Sequence, residues 1–147
     1  MTSNNHYLSI ASMNCRGLAN FEKRRDVFHL FKCKQYSKCC FQDVHFTNNT
    51  EAIVRAEWGL ECYFNSFKSN SRGVAILFNN NFEFKVHSSK LDNNGNMLAL
   101  DIEIDELRIT LVNIYGPNND SPSFFDDLSE VIKPSCNCLW GLEFNSR

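Results

Sequence analysis

The chain has 147 residues, of which 43% are hydrophobic and 13% aromatic, a composition that indicates one folded domain and excludes a disordered chain. Its formal net charge is −2, which excludes a protein that holds a polyanion by overall charge alone. Bases outnumber acids in the segment 22–38, which has six bases and two acids and therefore a local charge of +4. Such a segment is more often a solvated helix face than a binding surface.

Strand and helix patterns alternate in the first part of the sequence. Within Glu22–Tyr36, apolar residues such as Phe28 and Phe31 recur at helical spacing while bases take the other face, which predicts an amphipathic helix. A second, shorter helix is expected to begin near Asn49 or Thr50, because either residue is a suitable N-cap. The elements predicted here are the strand Tyr7–Met13, the helix Glu22–Tyr36, the strand Cys39–Phe41 and the helix Thr50–Trp58.

Strand patterns follow one another after Gly59, separated by polar clusters that indicate turns. Isoleucines alternate with polar residues on either side of Asp105 and Glu106, which predicts an antiparallel hairpin with one buried face. A last helix is predicted over Ser123–Val131, and the order of elements indicates a layered α/β or α+β fold. The strands are predicted at Tyr63–Phe64, Val74–Phe78, Phe82–Val86, Met97–Ile104 and Leu107–Tyr115.

The cysteine pattern favours a reduced, intracellular protein. Seven cysteines occur without a C-x-x-C pair or zinc-finger spacing, so we expect most of them to be small buried side chains. The first residues are polar, and no window is apolar enough for a signal peptide or a transmembrane segment, so a nuclear or cytoplasmic location is expected. Four phenylalanines have core-facing helical spacing and are predicted to pack in the core: Phe28, Phe31, Phe124 and Phe125.

Polar residues lie where the predicted strands end. Asn14 follows the first strand, Asp43 and His45 follow the second, and Tyr115 ends the hairpin. Because strand ends that meet at one edge of a sheet are a usual position for a binding site, we expect these side chains to lie on one rim. Further candidates in comparable positions are Arg72, Asn118, Glu143 and Asn145.

Five short motifs occur in order: Asn-x-x-Gly-Leu at 14–18, Gln-Asp-x-His at 42–45, Ser-Arg-Gly-Val-Ala-Ile-Leu at 71–77, Asn-Ile-Tyr-x-Pro-Asn at 113–118 and Gly-Leu-Glu-Phe-Asn at 141–145. With them, the sequence from about Leu8 to Asn145 resembles the endonuclease/exonuclease/phosphatase superfamily, and within it the apurinic-type endonuclease domain of LINE-like non-LTR retrotransposons. The resemblance implies a deoxyribonuclease I-like, four-layer α/β (α+β) sandwich of two β-sheets flanked by helices. It also implies a phosphodiesterase that depends on Mg²⁺, or alternatively Mn²⁺, and nicks DNA.

The same resemblance implies a role for each candidate. Asp43 falls where the family has its metal-binding glutamate, and Asn14 matches an asparagine that orients the metal-binding carboxylate or the phosphate. Tyr115 matches a tyrosine whose hydroxyl hydrogen-bonds the scissile phosphate, and Asn118 lies in the same phosphate-facing loop. The remaining matches are Glu143 at an aspartate that positions the attacking water, Asn145 at an asparagine that stabilises the pentacovalent phosphate, and His45 and Arg72 at positions near the site.

The residue types agree with this chemistry. Mg²⁺ takes oxygen ligands, and neutral amide and phenol donors stabilise a phosphate transition state without adding negative charge beside it. Arg72 and the basic helix are candidates for contacts to the DNA phosphate backbone, which position a substrate without reading its bases.

Differences from the family pattern predict impaired catalysis. Asp43 is one methylene shorter than a glutamate and Glu143 one methylene longer than an aspartate, and a misplacement of about 1 Å costs about 100-fold in rate. Leu142 replaces a glycine in a turn. The family's last third, with its Ser-Asp-His motif, has no counterpart in residues 1–147. We therefore expect a single incomplete domain with the first half of the fold complete and barely one strand of the second.

Other interpretations stay open at the level of the sequence. The chain is a non-catalytic nucleic-acid-binding remnant if its basic residues bind DNA without cleavage. It is a related phosphatase-type hydrolase if the superfamily chemistry acts on another phosphate ester. The asparagines also have a purely structural interpretation, because Asn is common in turns, where its side chain bonds the local backbone.

Overall fold

Two four-stranded sheets and three helices make up the part of the chain that a computed structural model describes, which is residues 9–79, 84–116, 122–131 and 137–143, the last segment for its backbone alone. The strands are β1 (Ile10–Asn14), β2 (Lys38–Gln42), β3 (Cys62–Asn65), β4 (Val74–Phe78), β5 (Lys85–Leu91), β6 (Met97–Ile104), β7 (Leu107–Tyr115) and β8 (Asn137–Glu143). The helices are α1 (Phe21–Lys34), α2 (Glu51–Trp58) and α3 (Pro122–Val131).

The helices α1 and α2 cover the outer face of the first sheet, whose strand order is β1-β2-β4-β3. Their apolar side chains form an aromatic layer on β2. The ring of Phe31 meets that of Phe41 edge to face at 5.0 Å between centroids, and Phe28 meets Trp58 in the same way at 5.3 Å. Aromatic burial of this size supplies much of the packing energy that holds the two helices on the sheet.

The second sheet, of strand order β5-β6-β7-β8, packs face to face on the first. An apolar layer fills the space between the sheets and includes Ile76 of the first sheet and Leu100 and Leu111 of the second. On the far side of the second sheet, Phe124 of α3 packs in a separate cluster with Val112. Helices, sheet, sheet and helix form four layers, which confirms the predicted fold class.

The hairpin of β6 and β7 turns at Asp105 and Glu106, as predicted. Both turn residues have positive φ, 51° and 68°, which matches the twist of two antiparallel strands joined by a two-residue loop. The prediction of one buried face is correct near the turn and wrong farther along the strands. Met97 and Ile114 are buried on the second face because α3 covers it.

Strand β5 begins and ends later than the sequence pattern predicts. The prediction Phe82–Val86 falls partly on residues 80–83, which lie outside the described residues, and the strand continues to Leu91. Among the described strands it pairs with β6 alone, and it is mostly exposed and has a register shift between Val86 and Ser88. An exposed edge strand with a bulge has no apolar alternation, so periodicity does not reveal it.

Other expectations are corrected by the structure. The second sheet has four hydrogen-bonded strands, so the expectation of barely one strand in the second half is wrong. Phe125 is 52% exposed because α3 turns Phe124, Leu128 and Val131 toward the sheet and Phe125 away from it. Thr50 precedes α2 but makes no side-chain cap, because its hydroxyl bonds the carbonyl of Thr47.

The cysteines whose side chains the structure describes are free thiols. Cys15, Cys39, Cys40 and Cys62 are buried, as predicted for most of them, and burial raises the pKa of each of these thiols to about 12. Cys33 on α1 is exposed. None of the helices in the part of the chain described above is long and apolar enough to span a membrane.

Candidate active site

Strand ends from both sheets meet at one edge of the sandwich, here called the rim, which comprises the ends of β1, β2, β7 and β8 and the start of β4. In the first sheet, the parallel strands β1 and β2 end side by side with Asn14 paired to Gln42. In the second sheet, Tyr115 is paired to Glu143 at the ends of β7 and β8. A hydrogen bond of 2.8 Å from Gln42 Nε2 to Asn113 Oδ1 joins the two sheets and brings both sets of strand ends together.

The amides of Gln42 and Asn113 are fully buried and fix the spacing of the sheets at the rim. Asn113 Nδ2 donates to the carbonyls of Phe41 and Ala75, at 3.1 and 2.8 Å, which leaves its Oδ1 facing Gln42. Gln42 Nε2 also donates to Ser12 Oγ at 2.9 Å, and Gln42 Oε1 has no hydrogen-bond partner among the described residues. Both residues lie in the short motifs, at 42–45 and 113–118, but neither is among the predicted site residues, although a polar residue inside an apolar strand is a signal of this kind.

Asp43 follows β2 directly, and its carboxylate is held by the loop around it. Asp43 Oδ1 lies 2.8 Å from His45 Nε2 and accepts a hydrogen bond of 3.0 Å from the backbone N–H of Arg72. The side chains of Asp43 and His45 are 16% and 20% exposed, so the pair is shielded but reachable from solvent. Backbone bonds from Val44 to Gly73 and from His45 to Arg72 extend the pairing of β2 and β4 past the strands. Three of the predicted site residues therefore form one contact cluster.

The backbone of this cluster is unusual. Asp43, His45 and Arg72 have φ values of 54°, 62° and 61°, in the left-handed region that side chains other than glycine seldom adopt. Gly17, at φ 92°, packs against the imidazole, and a Cβ at this position would lie 2.8 Å from His45 Nδ1. The N–H of Gly17 also donates to the carbonyl of Asp43 at 2.7 Å. Backbone conformations of this cost are retained most often at functional sites.

A turn at Asp92–Asn96 connects the start of β4 to the end of β7. The N–H of Gly73 donates to the carbonyl of Gly95 at 3.0 Å. On the other side of the turn, Asn96 Nδ2 donates to the carbonyl of Tyr115 at 2.7 Å, and the N–H of Tyr115 donates back to the carbonyl of Asn96 at 2.7 Å. Tyr115 is 8% exposed, and its ring belongs to the apolar layer between the sheets. The Asp43 loop and Tyr115 are thus linked by continuous hydrogen bonds.

Asn14 and Arg72 lie at the outer side of the rim. Asn14 Oδ1 accepts a hydrogen bond of 3.2 Å from the N–H of Arg16, which is the local turn contact that the structural interpretation of this asparagine predicts. The guanidinium carbon of Arg72 lies 4.9 Å from the centroid of the Phe67 ring, and its Nη1 donates to the carbonyl of Asn94 at 3.4 Å. The ring and the carbonyl hold the Arg72 guanidinium, while the backbone N–H of the same residue contacts Asp43.

The other predicted site residues are described in part or not at all. The backbone of Glu143 lies opposite that of Tyr115. Asn118 and Asn145 lie outside the described residues. The residues that the structure brings to the rim are Asn14, Asp43, His45, Arg72, Tyr115 and the backbone of Glu143.

The oxygen atoms at the rim fit a hard divalent cation that takes most of its ligands from substrate and water. Within the described residues, no three His, Cys, Asp or Glu side chains converge on a common point. Asp43 offers one carboxylate, whose Oδ1 contacts His45 and Arg72 while neither contact uses Oδ2. Mg²⁺ is often held by one or two carboxylates, with phosphate oxygens and water in its other positions. The donor set therefore suits Mg²⁺ better than a metal that needs an all-protein site.

A curated protein matches this chain along most of its length. The chain is 29% identical over 143 residues to the transposon TX1 uncharacterized 149 kDa protein of Xenopus laevis, and the match covers 94% of this chain and 11% of that protein. The chain thus spans about a tenth of the length of this relative. No family model matches the chain.

Solved structures resemble the fold at low sequence identity. An AP endonuclease from Archaeoglobus fulgidus has a TM-score of 0.64 at 15% identity, covering 91% of this chain and 56% of that one. An endonuclease/exonuclease/phosphatase family protein from Leptotrichia buccalis has a TM-score of 0.62 at 12% identity, covering 91% and 66%. The 3′ phosphatase NExo from Neisseria, bound to a product DNA hairpin, has a TM-score of 0.56 at 20% identity, covering 84% and 48%. This chain spans about half to two thirds of their lengths, and the likeness establishes the fold.

Proposed function

We propose that this chain, which has the fold of the endonuclease/exonuclease/phosphatase superfamily, forms the phosphate-binding rim of a metal-dependent DNA endonuclease of retroelement origin. The observation that carries the proposal is the Gln42–Asn113 contact, because it joins the strand ends that hold Asn14, Asp43 and Tyr115. The transposon relative supports the retroelement origin. The DNA bound to a protein of the same fold supports DNA as the substrate.

The residues at the rim suit the cleavage of a phosphodiester. Negative charge grows on the phosphate oxygens as the bond breaks, and positive charge and hydrogen-bond donors stabilise it. Mg²⁺ or Mn²⁺ supplies the positive charge when bound, and we assign Asp43 to hold the ion. Asn14, Tyr115, Asn118 and Asn145 are neutral side chains that donate hydrogen bonds to phosphate oxygens without adding negative charge.

Three further side chains have supporting roles in this proposal. Arg72 lies beside the Asp43 loop, where a guanidinium can bind a backbone phosphate and position DNA without reading its bases. Glu143, in register with Tyr115, is assigned to position the attacking water. His45 is assigned as a positioning residue, because its imidazole contacts the carboxylate of Asp43 and so helps to hold that carboxylate in place.

The same geometry favours slow cleavage. The Asp43 side chain is one methylene shorter than glutamate, and its Oδ1 already contacts His45 and Arg72, which lowers its ability to donate to a cation. A displacement of about 1 Å in a catalytic group costs about 100-fold in rate. We therefore propose a nuclease with impaired turnover.

Nicking of a supercoiled plasmid by the full chain tests the proposal. We expect Mg²⁺-dependent nicking that a chelator abolishes and that falls roughly tenfold or more in Tyr115→Phe, which removes the hydroxyl alone, and in Asp43→Asn, which removes the charge alone. Ser88→Ala, on the exposed strand β5, is the matched control and should keep the wild-type rate. The proposal is overturned if metal-dependent nicking does not exceed that of Tyr115→Phe.

A non-catalytic nucleic-acid-binding function is the second candidate. The observation that favours it is the engagement of Asp43 Oδ1 by two contacts within the protein. DNA binding that weakens with salt, persists in Asp43→Ala and is accompanied by no cleavage would support this candidate. Release of phosphate from a 3′-phosphorylated oligonucleotide without plasmid nicking would instead favour a phosphatase-type hydrolase.

A further inference from the structure

Away from the Asp43 loop, helix α1 carries an imidazole and a thiol that converge on its exposed face. His29 and Cys33 are four residues apart, a spacing that places them on the same side of a helix. Both residues are exposed, and His29 Nε2 lies 3.6 Å from Cys33 Sγ. The other cysteines with described side chains are buried: Cys15, Cys39, Cys40 and Cys62.

We propose that His29 and Cys33 form a two-ligand site for a borderline divalent metal ion such as Zn²⁺. Zinc binds imidazole nitrogen at about 2.0–2.1 Å and thiolate sulfur at about 2.3 Å, so a tetrahedral angle places the two ligand atoms about 3.5 Å apart. The observed distance of 3.6 Å matches this value. The pair can therefore chelate an ion with little rearrangement of either side chain.

The charges around the pair are mixed, because the helix end is electronegative while the last turn of α1 carries two lysines, Lys32 and Lys34. Helix α1 ends at Lys34, and the carbonyls of its last turn carry partial negative charge. Lys32 and Lys34 both adjoin Cys33 in sequence. The ammonium of Lys32 is directed to α2, where it donates to the carbonyl of Trp58 and lies 4.9 Å from the centroid of the indole.

Binding requires no redox step. The thiol of Cys33 releases its proton to solvent, the thiolate donates an electron pair to the ion, and neutral His29 donates the lone pair of Nε2. Within the described residues no third Asp, Glu, His or Cys joins the pair, so water occupies the remaining positions of the ion. The site is independent of the rim chemistry and stands or falls separately from it.

Titration of the full chain with Co²⁺ tests this proposal, because Co²⁺ takes the same tetrahedral nitrogen and sulfur ligands as Zn²⁺ and a thiolate ligand gives it a charge-transfer absorption band. We expect a band that saturates at one Co²⁺ per chain and disappears when Zn²⁺ is added. Cys33→Ser should abolish the band, and His29→Gln should weaken Co²⁺ binding by roughly tenfold or more.

Two control variants keep the test specific. Cys136→Ser/Cys138→Ser removes thiols elsewhere in the chain, and His87→Gln removes an exposed imidazole on β5, so both should retain the full band. Both ligand variants lie on an exposed helix face, and unfolding in urea verifies that they fold. Absence of the band in the wild-type chain, or a band that either ligand variant leaves unchanged, overturns the proposal.

Discussion

The two ends of β2 hold buried polar side chains in opposite ways. At the rim, the amide of Gln42 is joined to Asn113 by a directed hydrogen bond between the sheets. At the other end, Lys38 has no exposed surface, and its ammonium lies 4.5 and 4.6 Å from the ring centroids of Phe78 and Phe84. Burial lowers the pKa of Lys38 to about 8. One buried polar group thus joins the two sheets at the candidate site, whereas the other donates to the carbonyl of Ser37, packs on two aromatic rings and has a pKa that burial lowers.

The largest expected change in the free energy of unfolding comes from removing the Asn113 amide at the rim. Asn113→Leu keeps the volume of the side chain and removes the amide, so the carbonyls of Phe41 and Ala75 lose a buried donor, while Gln42 Nε2 keeps its bond to Ser12 Oγ. Each buried group without a partner costs about 1–3 kcal/mol, and we expect the free energy of unfolding in urea to fall by about 4 kcal/mol. Ser88→Ala, on exposed β5, should change it by less than about 0.5 kcal/mol. Similar values for the two variants would show that the amides do not hold the sheets together.

At the opposite end of β2, Lys38→Met removes the buried charge and fills a similar volume. Because burial lowers the pKa of Lys38 from 10.5 to about 8, keeping the amine charged costs the folded state about 3 kcal/mol at pH 7. Loss of the aromatic contacts offsets about 1 kcal/mol of this. We therefore expect the free energy of unfolding at pH 7 to rise by about 2 kcal/mol, measured in urea.

The difference in free energy of unfolding between Lys38→Met and the wild-type chain should depend on pH. Between about pH 8 and 10.5 the unfolded wild-type chain keeps the Lys38 proton that the folded chain has released, so wild-type stability rises with pH in this window. The advantage of Lys38→Met should shrink accordingly from pH 8 to pH 10. The thiols of Cys39 and Cys40, whose pKa burial raises to about 12, act in the opposite direction above about pH 9 but occur in both proteins. An advantage that does not vary with pH would contradict a charged, buried Lys38.

Much of the fold can be predicted from the sequence because its core elements have strong periodic patterns. The β6–β7 hairpin is such a case, since alternating isoleucines flank two residues that turn the chain with positive φ. Strand β5 is the reverse case, because an exposed edge strand has no buried face to impose a pattern. Exposure of Phe125 likewise depends on how far α3 turns from the sheet, which helical spacing does not specify.

The candidate site follows a similar division. Short motifs located Asp43, His45 and Tyr115, and the structure brings all three to the rim. The contacts between them are tertiary and carry no local signal. The Gln42–Asn113 bond joins residues 71 positions apart, and although each residue opens one of the short motifs, no motif indicates that the two side chains contact each other. Their assignment required the packing of one sheet on the other.

The smallest expected effect comes from the contact between Gly17 and the imidazole of His45 at the rim. Gly17 and Gly59 both have left-handed backbone, at φ 92° and 81°, so replacement by Ala strains both positions to a similar degree. They differ in the space available, because a Cβ at Gly17 would meet His45 Nδ1 at 2.8 Å and a Cβ at Gly59 meets nothing within 4 Å. The added methyl at Gly17 must displace the imidazole from Asp43.

We therefore expect Gly17→Ala to lose about 1 kcal/mol more free energy of unfolding than Gly59→Ala, and to slow plasmid nicking where Gly59→Ala does not. Because the strain of the left-handed backbone is common to both variants, the difference between them isolates the contact with His45. Equal losses, with equal nicking rates, would mean that the imidazole moves aside at no cost. The contact of His45 with Asp43 would then play no part in holding the carboxylate at the rim.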